Sequence, residues 1–216
     1  ALACDPISAF GGIVSCNFKI NKTLAIELNK IFLEVIVANG FDKNALKILK
    51  LKKNLRLIDA SQFSFDEILK FNSINNSILI QSEDKKKFFK KDFKIVSKKK
   101  PTKTQFEDLI FAFNVCRYVK SNAIVLASHQ STIGIGSGQP SRLDSCKIAI
   151  NKMNKFAKLK NNIVAASDAF FPFVDGIEKL VQSGATAIIQ PSGSIRDKEI
   201  IKFANATGIS LVFSRT

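Results

Sequence analysis

The sequence contains no tryptophan and a single tyrosine, whereas lysine, asparagine, isoleucine and phenylalanine are abundant. This imbalance is typical of a coding sequence rich in A and T. No apolar run approaches the roughly 20 residues that a membrane-spanning helix needs. No charged, apolar and small-residue succession at the N-terminus suggests a signal peptide either. We therefore expect a cytoplasmic protein that does not enter a membrane.

Close cysteine pairs are also missing. Cys4, Cys16, Cys116 and Cys146 show none of the C-x-x-C spacing that zinc or redox sites use. A chain of 216 residues needs no disulfide to be stable. We expect four reduced thiols and no metal site, with Cys116 and Cys146 as small core residues of helices.

Length and composition allow a substantial core. With 216 residues, of which 46% are hydrophobic, the chain can form one domain or two small ones. It begins at Ala1, without an initiator methionine, in a segment that already has the composition of folded protein. We interpret the chain as part of a longer protein.

The charge of the chain is one-sided, since 33 Lys and Arg residues against 18 Asp and Glu residues give a net charge of +15. Lysines cluster at 85–87, 90–91 and 98–100, interleaved with Phe88, Phe89 and Phe93. Charge and stacking in such a pattern could hold single-stranded nucleic acid. Because lysine is abundant throughout the chain, we favour a solvated lysine face. A basic nucleic-acid-binding α/β module without catalysis is the alternative interpretation.

Hydrophobic periodicity alternates between helix and strand, which indicates an α/β protein. The predicted helices cover 21–32, 42–51, 143–156 and 196–206, and a further helix carries Phe106, Leu109, Ile110 and Phe113 on one face. The predicted strands cover 34–38, 55–58, 77–81, 93–96, 123–127, 163–166, 185–190 and 209–213. Successive strand–helix–strand units favour parallel pairing with right-handed crossovers.

Pro101 lies within a polar stretch from Lys98 to Thr104, which we interpret as the joint between two subdomains. The predicted domains are therefore residues 1–100 and 101–216. After the joint, either Thr102 with Gln105 or Thr104 with Glu107 offers a capping box for the next helix.

The segment SNAIVLASHQSTIGIGSGQPSR, Ser121 to Arg142, has the composition of a ligand site. Its glycines tolerate positive φ and allow a ligand to approach the backbone. Ser141 with Asp144 resembles a capping box that opens a helix at about Leu143. Exposed N–H groups, this helix N-terminus and Arg142 would form an anion site. The alternative is a glycine-rich hairpin with a helix cap, because the spacing matches neither a P-loop nor a dinucleotide fingerprint.

Two further polar loops follow predicted strands. They are Ser167–Phe173, with the sequence SDAFFPF, and the QPSGS segment that begins at Gln190. Exposing three aromatic rings of one loop to water is unfavourable unless they line a binding site or cover apolar surface. We therefore expect either a hydrophobic lid over the sheet or a surface for a planar heteroaromatic ligand. All three polar loops are predicted at the carboxyl ends of strands, where open α/β sheets bind ligands.

Long and chemically unusual motifs carry a family resemblance: ALACDPISAFGG, SNAIV, TIGIGSGQPSR, SDAFFPF and QPSGSIRD. Through these motifs the whole chain resembles the transformylase half of the bifunctional AICAR transformylase/IMP cyclohydrolase family of purine biosynthesis. The likeness is weaker between about Phe63 and Lys100. It implies a cytidine-deaminase-like α/β fold of two related subdomains with mixed, largely parallel sheets. It also implies formyl transfer from the co-substrate 10-formyltetrahydrofolate to the 5-amino group of AICAR, giving FAICAR, and a homodimer.

The resemblance assigns roles to individual residues. Asn122 would orient the reacting amine or formyl group. The nucleotide would be held by Asp5, Asn122, Ser141, Arg142 and Phe170, and the folate by Leu143, Asp175, Ser194 and Ile195. A planar two-point contact with phosphate or carboxamide is expected of Arg142.

Some features of the family pattern are missing from the sequence. A Lys–His pair that performs the proton chemistry in the family lies upstream of Ala1. The single histidine, His129, is predicted in an exposed turn, and Arg215 does not match the arginine of the family's tail. A zinc deaminase, which fold kinship suggests, needs an H-x-E and a C-x-x-C set of ligands, and neither occurs.

Overall fold

A computed structural model describes residues 2–63, 69–157 and 161–214. The chain forms two compact units. The smaller unit consists of residues 7–86, and the larger one combines the residues before Ile7 with those after Lys86. The strands and helices of the smaller unit are β1 (Gly12–Cys16), α1 (Lys22–Asn29), β2 (Leu33–Ala38), α2 (Lys43–Leu49), β3 (Arg56–Asp59), β4 (Leu69–Ile74) and β5 (Ser77–Ser82).

The smaller unit contains a three-stranded parallel sheet in the order β1-β2-β3. Its core includes Ile20, Ile36 and Leu49, all fully buried. Asn21 caps α1 as its sequence position suggests, because its side-chain oxygen accepts a hydrogen bond from the N–H of Leu24 at 2.9 Å. Strands β4 and β5 form a separate antiparallel hairpin whose residues are exposed on both faces.

The larger unit follows Lys86 and also includes the first residues up to Pro6. Its strands and helices are β6 (Phe93–Ile95), α3 (Lys103–Cys116), β7 (Ile124–Ser128), β8 (Ser131–Gly136), α4 (Arg142–Phe156), β9 (Val164–Ser167), α5 (Val174–Gln182), β10 (Ala187–Pro191), α6 (Asp197–Thr207) and β11 (Ser210–Ser214). The six strands form one mixed sheet in the order β6-β11-β10-β9-β7-β8.

Alternate residues of the sheet strands enter two separate cores. Ile124 and Leu126 of β7 pack with helices α4, α5 and α6, whereas Val125 and Ala127 of the same strand pack with α3. This follows from the two-residue period of a strand, which directs successive side chains to opposite faces. The fully buried apolar strands are typical of a sheet that is covered by helices on both faces.

The predicted α/β class is confirmed, and parallel pairing joins β9, β10 and β11 as expected. The other strands of the larger sheet pair antiparallel, so parallel pairing does not dominate there. The compact units divide upstream of the joint predicted near Lys100. The reason is that Phe88 and Phe93 pack against Phe106 and Phe113 of α3. The cytidine-deaminase-like assignment stays a prediction.

Two predicted capping boxes have different outcomes. Thr102 and Gln105 form the capping box of α3. The Gln105 N–H donates to Thr102 Oγ1 at 3.2 Å, and the Thr102 N–H donates to Gln105 Oε1 at 2.9 Å. The box predicted for α4 is wrong, because Ser141 makes no side-chain cap and Asp144 pairs with Lys147 instead. Helix α4 accordingly begins at Arg142, one residue before the predicted start.

Candidate functional site

Strand direction brings four chain segments to one edge of the six-stranded sheet. Strand β7 runs antiparallel to β8 and to β9, and β10 runs parallel to β9. The start of β7 therefore lies at the same edge as the ends of β8, β9 and β10. This confirms the expected convergence of the three polar loops, and it adds Asn122, which precedes β7.

A cavity of about 530 Å³ opens at this edge, between the loop before α4 and the loop before α5. Six residues that the sequence predicts for the site line it: Asn122, Ser141, Arg142, Leu143, Phe170 and Asp175. Their positions were inferred from motifs, and the fold places them around one volume.

Arg142, the first residue of α4, is held by protein on one side of its guanidinium. Its Nη1 donates to Ser167 Oγ at 2.8 Å and to Asp168 Oδ1 at 2.5 Å, and its Nη2 donates to Asn122 Oδ1 at 2.7 Å. The Arg142 and Asp168 side chains are only 13% and 15% exposed. Since Nη1 carries two hydrogens, both are used within the protein. Among the contacts of the described residues, the hydrogens on Nε and the second hydrogen of Nη2 are therefore left for a ligand.

The side-chain amide of Asn122 is fixed from both ends. Its Nδ2 donates to the carbonyl oxygens of Gln139 at 2.8 Å and Pro140 at 3.0 Å. Its backbone carbonyl accepts from Ser145 Oγ of α4 at 2.7 Å. The peptide bond between Ser121 and Asn122 is cis. Through these hydrogen bonds Asn122 connects the start of β7 to the loop that leads into α4.

Asp168 is a site residue that motif reasoning did not assign. Its carboxylate accepts hydrogen bonds from Ser121 Oγ, from the Ala123 N–H at 3.1 Å and from Arg142. Burial raises the pKa of Asp168, but these hydrogen bonds and the Arg142 charge outweigh burial, so its pKa lies below the usual value. The position directly after β9 was the available signal, because strand ends at this edge carry the polar contacts.

The aromatic loop divides between the two predicted roles. Phe171 is 1% exposed and lies under the Arg142 guanidinium, with 6.0 Å between the guanidinium carbon and the ring centroid. Phe170 and Phe173 are 39% and 50% exposed at the cavity. Phe171 thus covers the core, as predicted for a hydrophobic lid, whereas Phe170 and Phe173 remain available to a planar ligand.

Asp175 lies in the first turn of α5 and lines the cavity. Its Oδ1 accepts from the Gly176 N–H at 2.7 Å. Its Oδ2 has no hydrogen-bond partner within residues 2–63, 69–157 and 161–214. Because Asp175 lines the cavity, this oxygen is free to accept hydrogen bonds from a ligand with N–H donors.

The glycines of β8 serve packing and not ligand approach. A Cβ atom on Gly136 would lie 1.8 Å from the carbonyl oxygen of Ser145, and one on Gly134 would lie 2.2 Å from that of Ala149. Both contacts are with the backbone of α4. The alternative interpretation, a glycine-rich hairpin, is therefore correct for these two residues, because they allow α4 to lie directly on β8.

Three predicted site residues do not line this cavity. Asp5 forms an ion pair of 2.6 Å with Lys152 and lines a different cavity of about 460 Å³. Ser194 and Ile195 lie in the loop between β10 and α6, where Ile195 is fully exposed. This loop approaches the cavity through Arg196, whose guanidinium carbon lies 4.6 Å from the ring centroid of Phe173.

His129 lies in the exposed turn between β7 and β8, as predicted, and its N–H donates to Asp108 at 2.9 Å. This turn is at the opposite end of β7 from Asn122. Arg215 lies outside the described residues. In the described part of the chain, no three His, Cys, Asp or Glu side chains are grouped so that they could bind a metal ion.

All four cysteines are free, as expected. Cys116 and Cys146 are buried in helices α3 and α4. Burial raises the pKa of the Cys146 thiol to about 12 and raises that of Cys116 as well. These thiols are core residues that stay protonated at neutral pH. Within the described ranges, no helix combines the length and the apolar composition that crossing a membrane would require.

Comparisons with known proteins agree with the motifs. Residues 1–152 match the family model described as AICARFT/IMPCHase bienzyme. Three relatives share the name "Bifunctional purine biosynthesis protein PurH". That of Rhodospirillum rubrum is 44% identical over 223 residues, that of Aquifex aeolicus 45% over 214, and that of Prochlorococcus marinus 46% over 220.

These alignments cover 99%, 99% and 100% of this chain, but only 42%, 42% and 41% of the three relatives. The chain thus spans about two fifths of the length of the curated relatives it matches. Because the family model covers well over half of the 216 residues, the assignment does not depend on any single motif. The chain belongs to the AICARFT/IMPCHase bienzyme family.

Proposed function

We propose that the chain forms much of a transformylase site, which transfers a formyl group from 10-formyltetrahydrofolate to the 5-amino group of AICAR. The product is FAICAR, on the route to IMP in purine biosynthesis, and the parent protein would also be an IMP cyclohydrolase. The observation that carries this proposal is the cavity at the sheet edge, which brings together six residues that the resemblance assigns to substrates.

The nucleotide half of the proposed site consists of Asn122, Ser141, Arg142 and Phe170. A planar imidazole carboxamide can lie against the exposed Phe170 ring while its polar edge meets Arg142 and Asn122. The remaining hydrogens on Nε and Nη2 of Arg142 suit an anionic or carbonyl oxygen.

The folate half consists of Leu143 and Asp175, with Ser194 and Ile195 on the adjoining loop. The Asp175 Oδ2 oxygen would accept from the N–H donors of the pterin ring, and Leu143 supplies apolar surface. Phe173, with Arg196 against its ring, lies on the side of the cavity that faces this loop.

The chemistry requires a group that removes a proton from a weakly nucleophilic amine and donors that stabilise the developing oxyanion. The residues described at the cavity include neither lysine nor histidine. The resemblance implies that the Lys–His pair comes from the chain upstream of Ala1. It also implies a homodimer, and the role of Asp5 at the nucleotide stays a prediction within that arrangement.

A formyl-transfer assay tests the proposal. The protein at the full length of its relatives should convert AICAR and 10-formyltetrahydrofolate to FAICAR. Residues 1–216 alone should show negligible turnover, because groups that act as a unit lose most activity when one is missing. An inactive full-length protein would contradict the proposed reaction. Robust turnover by residues 1–216 would contradict the upstream base.

Nucleic-acid binding is the competing function, and one structural observation argues against it. Phe88 and Phe93 are 7% and 9% exposed in the core, so only Phe89 of the three interleaved rings is available for stacking. Titration with a single-stranded oligonucleotide and with AICAR separates the two functions. A polyanion site gives affinity that falls steeply with salt, whereas a nucleotide cavity gives saturable binding of one small ligand.

A further inference from the structure

The hydrogen bonds of Asn122 restrict what its side chain can offer to a ligand. An amide has two N–H donors and an oxygen with two lone pairs. Both donors are used by the carbonyls of Gln139 and Pro140, and one lone pair accepts from Arg142 Nη2. Within the described residues, a single acceptor position on Oδ1 is left for a ligand.

Arg142 is one of three groups that fix the orientation of this amide, and the only one of the three that contacts Oδ1 within the described residues. A flipped amide would place its oxygen against two carbonyl oxygens and its NH₂ group against the guanidinium. Both arrangements are repulsive and would leave partly buried polar groups unpaired. The two carbonyls and the guanidinium therefore together fix which end of the amide is Oδ1, the end that meets Arg142.

Arg142 is in turn held by Asp168, which does not line the cavity. The Asp168 carboxylate binds Nη1 of Arg142 and is itself fixed by the Ala123 N–H and by Ser121 Oγ. These last two partners lie on either side of Asn122 in the sequence. A closed set of contacts thus runs from the start of β7 through Asp168 and Arg142 back to the Asn122 side chain.

We infer that Asp168 is a positioning residue, which acts through Arg142 to hold Asn122 as a hydrogen-bond acceptor toward the ligand. Taken with the proposed function, on which the identity of the ligand rests, this acceptor meets the N–H of the reacting amine. The formyl oxygen, which is itself an acceptor, has to find its donors elsewhere.

The first test needs no substrate. In residues 1–216 labelled with ¹⁵N-asparagine, the side-chain signals of Asn122 are assigned by their loss in Asn122→Asp. Asp168→Asn should shift these signals and speed their hydrogen exchange by about tenfold or more, because Arg142 is no longer held against Oδ1 and the amide becomes more mobile. Asp144→Asn is the matched control: it removes a half-exposed carboxylate from the first turn of α4, outside the cavity. It should leave the Asn122 signals unchanged.

Unchanged Asn122 signals in Asp168→Asn would overturn the inference. If that variant does not fold, Ser121→Ala removes one hydrogen bond from Asp168 and should give a smaller change of the same kind. No change in folded Ser121→Ala would then overturn it.

The second test uses the full-length protein. Asp168→Asn should lower kcat for formyl transfer by about tenfold or more, with a smaller change in KM for AICAR, and Asp168→Glu should recover part of the loss. A kcat within about twofold of the wild type would contradict a positioning role. If the wild-type protein transfers no formyl group, the proposed function fails, and the amide signals still decide the role of Asp168.

Discussion

At the scale of single residues, the motifs located the site, and hydrogen bonding determined what each residue can do there. Asn122, Arg142 and Asp175 were predicted from the sequence motifs around them, and all three line one cavity. Asp168 was not predicted, although it lies in the SDAFFPF motif, because its role depends on contacts with Ser121, Ala123 and Arg142 that only the fold brings together. The contacts of Arg142 could not be predicted either, since they depend on which strand ends lie side by side.

Replacing Arg142 should cost stability as well as ligand affinity. In Arg142→Lys, one ammonium cannot reproduce the bonds to Ser167, Asp168 and Asn122, which a planar guanidinium makes together. The free energy of unfolding of residues 1–216 should fall by about 1–3 kcal/mol, measured by urea denaturation. Arg196→Lys is the control, because Arg196 is about half exposed, and it should change the value by no more than about 0.5 kcal/mol. An equal decrease in the free energy of unfolding of both variants would contradict the role given to Arg142.

Asp175 should discriminate between the two proposed substrates. Asp175→Asn replaces the Oδ2 acceptor with an amide that cannot accept from two pterin donors. In the full-length protein, folate affinity should fall by roughly ten- to a hundredfold, the range for one lost hydrogen bond to a charged group. AICAR affinity should change much less. Calorimetric titration with each ligand measures this, and similar losses for both would remove Asp175 from the folate half.

At the scale of helices and strands, periodicity was a reliable guide where an element is long or buried. Residues 163–166, 185–190 and 209–213 were predicted as strands and correspond to β9, β10 and β11. Strand β4, Leu69–Ile74, was missed because its apolar residues Leu69, Phe71 and Ile74 do not keep a two-residue period. Strand β5 of the same exposed hairpin was predicted, because it contains an uninterrupted apolar run, residues 78–80. The two-residue connection of the hairpin, Asn75–Asn76, was the available signal for β4, since Asn75 adopts a positive φ of 48°.

The N-terminus of α3 offers a direct comparison between two predicted caps. Thr102→Ala removes the oxygen that accepts from the Gln105 N–H and should lower stability by about 1 kcal/mol. Thr104→Ala alters the competing capping box, which the helix does not use, and should cost less than about 0.5 kcal/mol. Thermal melts should therefore give Thr102→Ala a lower melting temperature than Thr104→Ala. The reverse ranking would show that the other box operates in solution.

The contact between β8 and α4 should be intolerant of any side chain. Gly136→Ala would force the α4 backbone away from the strand, and overpacking of this kind costs about 1–3 kcal/mol or more. Gly208→Ala is a suitable comparison. It meets no atom within 4 Å, so its cost is limited to the strain of a positive φ, about 1–2 kcal/mol. Urea denaturation should find Gly136→Ala the less stable variant, and its Asn122 amide signals should shift. A Gly136→Ala chain as stable as wild type would mean that α4 does not lie so close to β8.

At the scale of the whole chain, the excess of positive charge should make stability depend on salt. The net charge is +15, and the ion pairs of the described residues are few and mostly exposed. Self-repulsion opposes the folded state and is screened by salt. Raising NaCl from about 0.01 M to about 0.3 M at pH 7 should stabilise residues 1–216 by roughly 1 kcal/mol, or about 2–4 °C.

The control for this salt effect is pH, because the sequence pI is about 9.8. Near that pH the net charge is small, so the same increase in NaCl should have little effect on the melting temperature. A salt effect of equal size at both pH values would show that ion-specific effects, and not self-repulsion, are responsible.

Strand β11 lies between β6 and β10, although it is the last strand of the described chain. The contact between Ser97, just after β6, and Leu211 spans 114 residues. A ribosome that adds about 5–20 residues per second therefore needs at least several seconds between making β6 and making its partner. During that interval β6 has no neighbouring strand, and the sheet that carries the cavity stays open along one side. The six-stranded sheet is therefore complete only after β11 has been made and has inserted between β6 and β10.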